Sequence, residues 1–170
     1  MRAVLRFLYA FSGALGGICL ALMLAMITLN IAGGVFGFFV RGLDAYAGYL
    51  MAGAIFLALP YTFKAGEHIR VTLIIERLTG AAHRGLELFC LALGVALSGL
   101  LAWACVKLAW LSWEFNDISQ MTDRTPLWIP QIFFAFGAVV LFIAFVEDFV
   151  DEVLGRRVAA KPSDEPAHVE

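Results

Sequence analysis

Four long apolar runs, each free of charged residues, account for most of the chain. They cover residues 7–40, 45–63, 88–106 and 125–146. An α-helix rises about 1.5 Å per residue, so each run is long enough to cross about 30 Å of hydrocarbon. The pattern therefore predicts an all-α integral membrane protein with four transmembrane helices, over about residues 10–38, 44–63, 86–113 and 127–149.

A short charged segment separates the second run from the third. It contains Lys64-Ala65-Gly66-Glu67-His68-Ile69-Arg70-Val71. Gly66 interrupts the preceding helix, and apolar residues then recur up to the helix-ending pair Thr79-Gly80. This pattern predicts an amphipathic connecting helix over about residues 67–79, too polar to span. Its apolar positions fall on two nearly opposite faces, so we expect it to be wedged between the chain's own spans and another surface.

Composition supports a membrane domain that ends before the C-terminus. The chain is 62% hydrophobic and 15% charged, with a mean hydropathy of +0.86, which lies outside the range of soluble globular domains. Residues 1–157 are predicted to form one four-span membrane domain. The remaining residues, 158–170, are polar and are predicted to be disordered.

The distribution of Lys and Arg predicts an orientation. Nine of the twelve Lys and Arg residues lie in the N-terminal segment, the connection at 64–84 and the C-terminal tail. Arg41 and Arg124 lie on the opposite side, and Lys107 lies within the third helix. By the positive-inside rule, both termini and the connecting helix are predicted to be cytoplasmic.

Two charged residues lie at or within the spans. Asp44 opens the second span, where a carboxylate favourably caps the positive end of a helix. Lys107 lies near the end of the third span among tryptophans, within reach of snorkelling to the interface. A structural role is the preferred interpretation of both residues, and an ion-translocating role for Lys107 is the alternative. Whether the two residues pair is left open.

Glycine and proline positions predict irregularities and close packing. The spacing of Gly13 with Gly17, and of Gly33 with Gly37, would let another helix approach closely. Gly33-Gly34 is also the expected break in the first apolar run, which is longer than one crossing requires. Pro60 interrupts the second span and releases a backbone carbonyl near its end.

The sequence contains no signature of a cofactor site or of catalysis. A haem-binding membrane protein needs histidines within its spans, but His68, His83 and His168 lie outside the predicted ones. No zinc-ligand spacing, phosphate-binding glycine loop or nucleophile and base pattern is present. We therefore expect no cofactor, no enzymatic activity and no nucleic-acid partner.

Two motifs resemble those of a known family. Gly66-Glu67-His68-Ile69-Arg70-Val71 follows the second span, and Pro126-Leu127-Trp128-Ile129-Pro130 opens the fourth. With four spans, cytoplasmic termini and Asp44 at the second span, they resemble the small membrane subunit of tripartite ATP-independent periplasmic (TRAP) transporters. Many members continue with an aspartate after the valine, where this chain has Thr72.

The resemblance implies a function without a substrate site in this chain. A large multi-span subunit would move an organic anion across the inner membrane, driven by a cation gradient, and a periplasmic binding protein would deliver it. The small subunit would act as a scaffold beside the large one. His68 and Arg70 are expected to fix the connecting helix, where Arg suits helix-end carbonyls or lipid phosphates. The alternative is a stand-alone four-helix membrane protein, either a small channel or an enzyme.

Overall fold

Four long helices form the described part of the protein. The structure, a computed structural model, describes residues 2–38, 41–65, 81–121 and 123–155. The helices are Arg2–Phe36 (α1), Leu43–Ala65 (α2), Ala81–Glu114 (α3) and Trp128–Val153 (α4). All four are long and apolar enough to cross a membrane, which confirms the prediction of an all-α protein with four spans. The predicted connecting helix at 67–79 and the tail at 158–170 lie outside the described residues.

The helices pack side by side in the order α1, α2, α4, α3. α2 packs against both α1 and α4. Among these four helices, α3 packs extensively only against α4. Residues 37–42 join α1 to α2, and residues 115–127 join α3 to α4, at what we call the hairpin end. The chain enters α1 and leaves α4 at the opposite end, called the terminus end. α2 therefore lies inside the row and α3 lies at its edge.

The centre of the packing is a proline turn in α2. Pro60 has no N–H to donate, so the carbonyl of Phe56 loses its usual helical partner. That carbonyl lies against Gly137 of α4, where any Cβ would collide with it. Ser12 of α1 donates a hydrogen bond of 2.7 Å to the neighbouring carbonyl of Leu57. The predicted interruption by Pro60 is thus where α1 and α4 both approach α2, as membrane helices accommodate proline.

Glycines also set the approach of α1 to α2, although not at the predicted spacing. Gly16 lies against the backbone of Ala58, and Gly13 lies beside the side chain of Tyr61. Nothing lies within 4 Å of the position that a Cβ of Gly17 would occupy. Within this chain, Gly16 and not Gly17 therefore faces α2 beside Gly13.

The contact of α3 with α4 uses a different pairing, of glycine with phenylalanine. The ring of Phe145 lies over Gly94, and the ring of Phe142 lies over Gly99. The glycines leave room on α3 for two large side chains of α4. Close packing can supply the attraction between helices in lipid, where the hydrophobic effect is weak.

The first helix does not break at Gly33-Gly34, contrary to the expectation from the sequence. It continues to Phe36, and Gly37 then adopts a left-handed backbone with φ of 75°. The N–H of Phe38 donates a hydrogen bond of 3.0 Å to the carbonyl of Gly33, which closes a glycine-dependent C-terminal cap. Gly33 therefore serves the end of its own helix, since Phe38 folds back against it.

Candidate functional site

A polar cluster joins three helices at the terminus end. Lys64, in the last turn of α2, places Nζ 2.5 Å from Oε2 of Glu147 and 2.6 Å from Oδ1 of Asp148, both on α4. Tyr9 of α1 donates a hydrogen bond of 2.8 Å to Glu147, and its ring centroid lies 5.3 Å from the Lys64 ammonium. The three charged side chains are only 22%, 20% and 18% exposed. We call these four residues the terminus-end cluster.

The order of the spans explains why these charges meet. Lys64 is the first charge after the run at 45–63, and Glu147 and Asp148 are the first after the run at 125–146. α2 and α4 run in the same direction, from the hairpin end to the terminus end, so both spans stop at one level. This cluster was not predicted from the sequence, although the matching ends of alternate spans are a signal that would have found it.

The motif that follows the second span begins two residues after Lys64 in the sequence. Gly66, Glu67, His68, Ile69, Arg70 and Val71 are all outside the described residues. The described part of α2 ends at Ala65, directly after Lys64. The cluster therefore fixes the last described turn of α2, which directly precedes the motif in the sequence.

Asp123 organises the hairpin end, and the sequence analysis missed it. Ser119 donates a hydrogen bond of 2.8 Å to Oδ1 of Asp123, and Tyr49 of α2 donates one of 3.2 Å to Oδ2. Gly42, in the other hairpin, is packed so closely that a Cβ there would lie 2.9 Å from Cβ of Asp123. Desolvation raises the pKa of the Asp123 carboxyl, but hydrogen bonds from Thr125, Ser119, its own backbone and Tyr49 lower the pKa below its ordinary value.

The same loop positions the entry to α4. The N–H of Ser119 donates 2.8 Å to the carbonyl of Thr125, and Pro126 forms an isolated bridge with Ile118. Trp128 then begins α4, and its ring meets Trp113 of α3 edge-on at 4.8 Å.

Pro130 is buried in the first turn of α4, as predicted. Its missing N–H costs nothing in that turn, since the first four N–H groups of a helix have no partner within it. The Pro-x-Trp-Ile-Pro motif therefore consists of a loop residue, an interhelical aromatic contact and a first-turn proline. Its residues position the start of α4.

Asp44 lies in the first turn of α2, as predicted for a carboxylate near the positive end of a helix. It also accepts a hydrogen bond of 2.6 Å from Nδ2 of Asn30 on α1. No ion pair joins Asp44 to Lys107 among the described residues. Asp44 therefore connects α1 to α2 at the hairpin end.

Lys107 takes a direction that the sequence analysis did not expect. Its Nζ lies 4.7 Å from the ring centroid of Trp103, one turn earlier in α3. α3 runs towards the hairpin end, so the side chain points away from the nearer interface. Helical side chains lean towards the N-terminus of their helix, which accounts for this direction. The Lys107 side chain therefore points towards Trp103 and not towards the hairpin end.

Two apolar hollows lie between the helices. A groove of about 550 Å³ lies between α3 and α4, with Trp110, Trp113 and Trp128 among its lining residues. A cleft of about 400 Å³ lies between α1, α2 and α4, and Tyr46 and Tyr49 are the largest polar side chains that line it. Neither hollow is lined by a charged residue. Within the described ranges, no group of three or more His, Cys, Asp or Glu residues could hold a metal ion.

Comparison with known proteins adds a family match. Residues 22–155 match the model of a family described as tripartite ATP-independent periplasmic transporters, DctQ component. No curated protein and no solved structure matches the chain. The matched range covers more than half of the chain, including the C-terminal part of α1 from residue 22 and all of α2, α3 and α4.

Proposed function

Because the chain belongs to the DctQ component family of TRAP transporters, we propose that it is the small membrane subunit that scaffolds a large transport subunit. The complex takes up an organic anion, driven by a cation gradient. A periplasmic solute-binding protein delivers the anion to the membrane. The chain thus works as a transporter component and not as an enzyme.

The observation that best supports a scaffold role is the incomplete burial of the helix row. α3 packs extensively on α4 alone among the described helices, and large apolar side chains are exposed along the whole of α1 and α3. The two hollows between helices are apolar and offer no charged path for a solute. Wide apolar faces, with two hollows that carry no charged lining residue, suit packing against a partner that carries the transport site.

We also propose that the protein is a multi-pass protein of the bacterial inner membrane, with both termini in the cytoplasm. The support is the excess of Lys and Arg on the terminus side. A cysteine introduced at Asn116, in the loop at the hairpin end, should react with an impermeant thiol reagent from the periplasmic side. A cysteine at Thr79 should not react. The reverse labelling pattern would overturn the orientation.

The Gly66–Val71 motif is proposed to hold the connecting segment at the cytoplasmic membrane surface. Its support is its position directly after Lys64, which the terminus-end cluster fixes in place. Arg70 would use its planar fork to bind helix-end carbonyls or lipid phosphates. The substitution Arg70→Lys keeps the charge and loses the fork, so assembly and transport should decline. Unchanged assembly and transport would show that the charge alone is sufficient.

The scaffold proposal is tested by reconstitution. The chain is expressed with and without its cognate large subunit, and the thermal transitions are compared in detergent. Co-expression should raise the transition temperature, since a partner that binds only the folded state stabilises it. Uptake into liposomes should require both membrane subunits and the binding protein. A chain that is equally stable alone, and moves solute without either partner, would contradict the scaffold function and favour a stand-alone channel.

A further inference from the structure

The Lys107 ammonium lies deep in the predicted membrane region. Its neighbour Trp103 precedes the end of α3, at Glu114, by eleven residues, or about 16 Å of helix. The hydrocarbon core is about 30 Å thick, so the ammonium over Trp103 is close to the middle of the bilayer. Charged side chains at this depth generally face a protein interior or a water-filled cavity, and they pair with another polar group.

The side of α3 that carries Lys107 faces away from the rest of the described protein. Leu91, Ser98 and Ala102 are buried on the side that faces α4. The opposite side presents exposed residues in a line with alternating spacings of three and four, which makes it one continuous face. We call this line the α3 outer stripe, and it includes Phe89, Leu93, Leu100, Trp103 and Lys107.

No anion in the described part of the chain neutralises Lys107. α3 packs extensively on α4 alone. Two carboxylates of α4, Glu147 and Asp148, already bind Lys64 at the terminus end. At the other end, Asp44 is held by Asn30 on α1. The cation–π contact with Trp103 is the interaction that the structure gives to Lys107.

We propose that the α3 outer stripe is the surface that the large membrane subunit covers, with one membrane helix that presents a carboxylate to Lys107. This inference rests on the proposed function and adds to it the face and the chemistry of contact. A line of apolar side chains with spacings of three and four fits one straight helix packed alongside. A single charged residue within such a line fixes the register and the identity of the partner helix.

The depth of Lys107 favours a protein carboxylate over a lipid phosphate. Lipid phosphates lie outside the hydrocarbon core, whereas the Lys107 side chain extends from α3 towards the middle of that core. A lysine that served a headgroup would point along α3 towards Glu114. The exposed Trp103, at 61%, supplies a flat surface under the ammonium that a partner helix would enclose, and enclosure strengthens both the cation–π contact and the ion pair.

The test uses the complex of this chain with its cognate large subunit, in native membranes. A photo-crosslinking amino acid is placed at Leu100, within the stripe and 65% exposed, or at Leu108, outside it and 51% exposed. Both positions are exposed leucines on α3. Leu100 should crosslink to the large subunit and Leu108 should not. In parallel, Lys107→Met should lower the amount of large subunit that co-purifies by roughly tenfold or more, as loss of a buried ion pair does. Lys107→Arg keeps the positive charge, so the amount of co-purified large subunit should be close to that of the unmodified chain.

The outcomes separate this inference from the scaffold function. If the unmodified chain does not co-purify with the large subunit, the proposed function itself fails. If it co-purifies, but Leu108 crosslinks instead of Leu100, another face is the interface and the inference is wrong. Crosslinking of Leu100 to lipid alone, or normal co-purification of Lys107→Met, would likewise overturn it.

Discussion

α2 and α3 are both apolar spans, yet their surroundings are opposite. α2 packs on α1 and on α4 and is fully buried at Leu57 and Pro60. α3 packs extensively on α4 alone and presents the exposed Trp103 and Lys107 on its outer side. The charge at the end of α2, Lys64, has two carboxylate partners, whereas Lys107 has an aromatic ring.

This difference shows which part of the protein is complete by itself. Around α2, the Ser12 hydroxyl and the Lys64 ammonium both find partners within the chain, and Gly137 packs against the carbonyl that Pro60 releases. Around α3, the polar group in the span finds no anion in the described residues. The polar groups of the core around α2 are thus satisfied within the chain, whereas the cation of the edge helix α3 is not.

The largest expected effect comes from adding a side chain at Gly137, where α4 packs against the proline turn of α2. Gly137→Val would place a branched side chain against the carbonyl of Phe56 and force α4 away from α2. We expect the free energy of unfolding to fall by about 3 kcal/mol, as for overpacked cores. The measurement is denaturation in mixed micelles. Gly17→Val is the control, because nothing lies within 4 Å of the Cβ position of Gly17. Equal losses for the two variants would contradict the packing at Pro60.

The terminus-end cluster should have the next largest effect. Lys64→Met leaves two largely buried carboxylates without their shared cation, so we expect a loss of about 2 kcal/mol of stability. The double variant with Glu147→Gln should cost less than the sum of the single variants, since direct contacts are not additive. Strict additivity in this cycle would show that the two side chains act independently.

A smaller effect is expected from the hydrogen bond between α1 and α2. Ser12→Ala leaves the carbonyl of Leu57 without its hydroxyl donor, at a cost of about 1 kcal/mol. Ser98→Ala is the matched control, because Ser98 is also buried but donates to Gly94 of its own helix. A loss for Ser98→Ala that equals the loss for Ser12→Ala would remove the special role of the interhelical bond.

The smallest effect is a pH dependence at the hairpin end. The pKa of Asp123 is lowered in the folded protein, so its ionised form stabilises the fold. This contribution is fully present above the ordinary aspartate pKa of about 3.9, and it is lost as pH falls through the folded-state pKa. Asp123→Asn should therefore lower the thermal transition slightly at pH 7. Acidification should affect this variant less than the unmodified chain, and an equal response to acid would exclude the role of Asp123.

The spans were predictable from the sequence because a membrane-crossing helix needs only a long run without charges. The interruption at Pro60 was predictable too, since the missing N–H is a property of one residue. The residues that pack against this turn, Ser12 and Gly137, were not predictable. Contacts between helices depend on how each helix is rotated about its axis, and periodicity does not determine that rotation. The same limit explains the choice of Gly16 over Gly17, which differ by one position in the helix.

The charged residues likewise combine positions that were predictable from the sequence with contacts that were not. Asp44 was predictable as a first-turn carboxylate, but its bond to Asn30 depends on the turn that places the end of α1 beside it. Lys107 was placed in a span by its position, whereas its direction follows from the N-terminal lean of helical side chains and the presence of Trp103 four residues earlier. The position of Asp123, in one hairpin and in contact with Gly42 of the other, was not predictable because it depends on how the loop folds.

The central claim, that the core is complete and α3 is not, is tested most directly by hydrogen exchange of backbone amides. The chain is measured alone in detergent and again in complex with its cognate large subunit. We predict that α2 is already protected in the isolated chain and changes little, whereas α3 exchanges faster alone and gains protection in the complex. Equal protection of α2 and α3 in the isolated chain, with no gain for α3 on binding, would contradict the account.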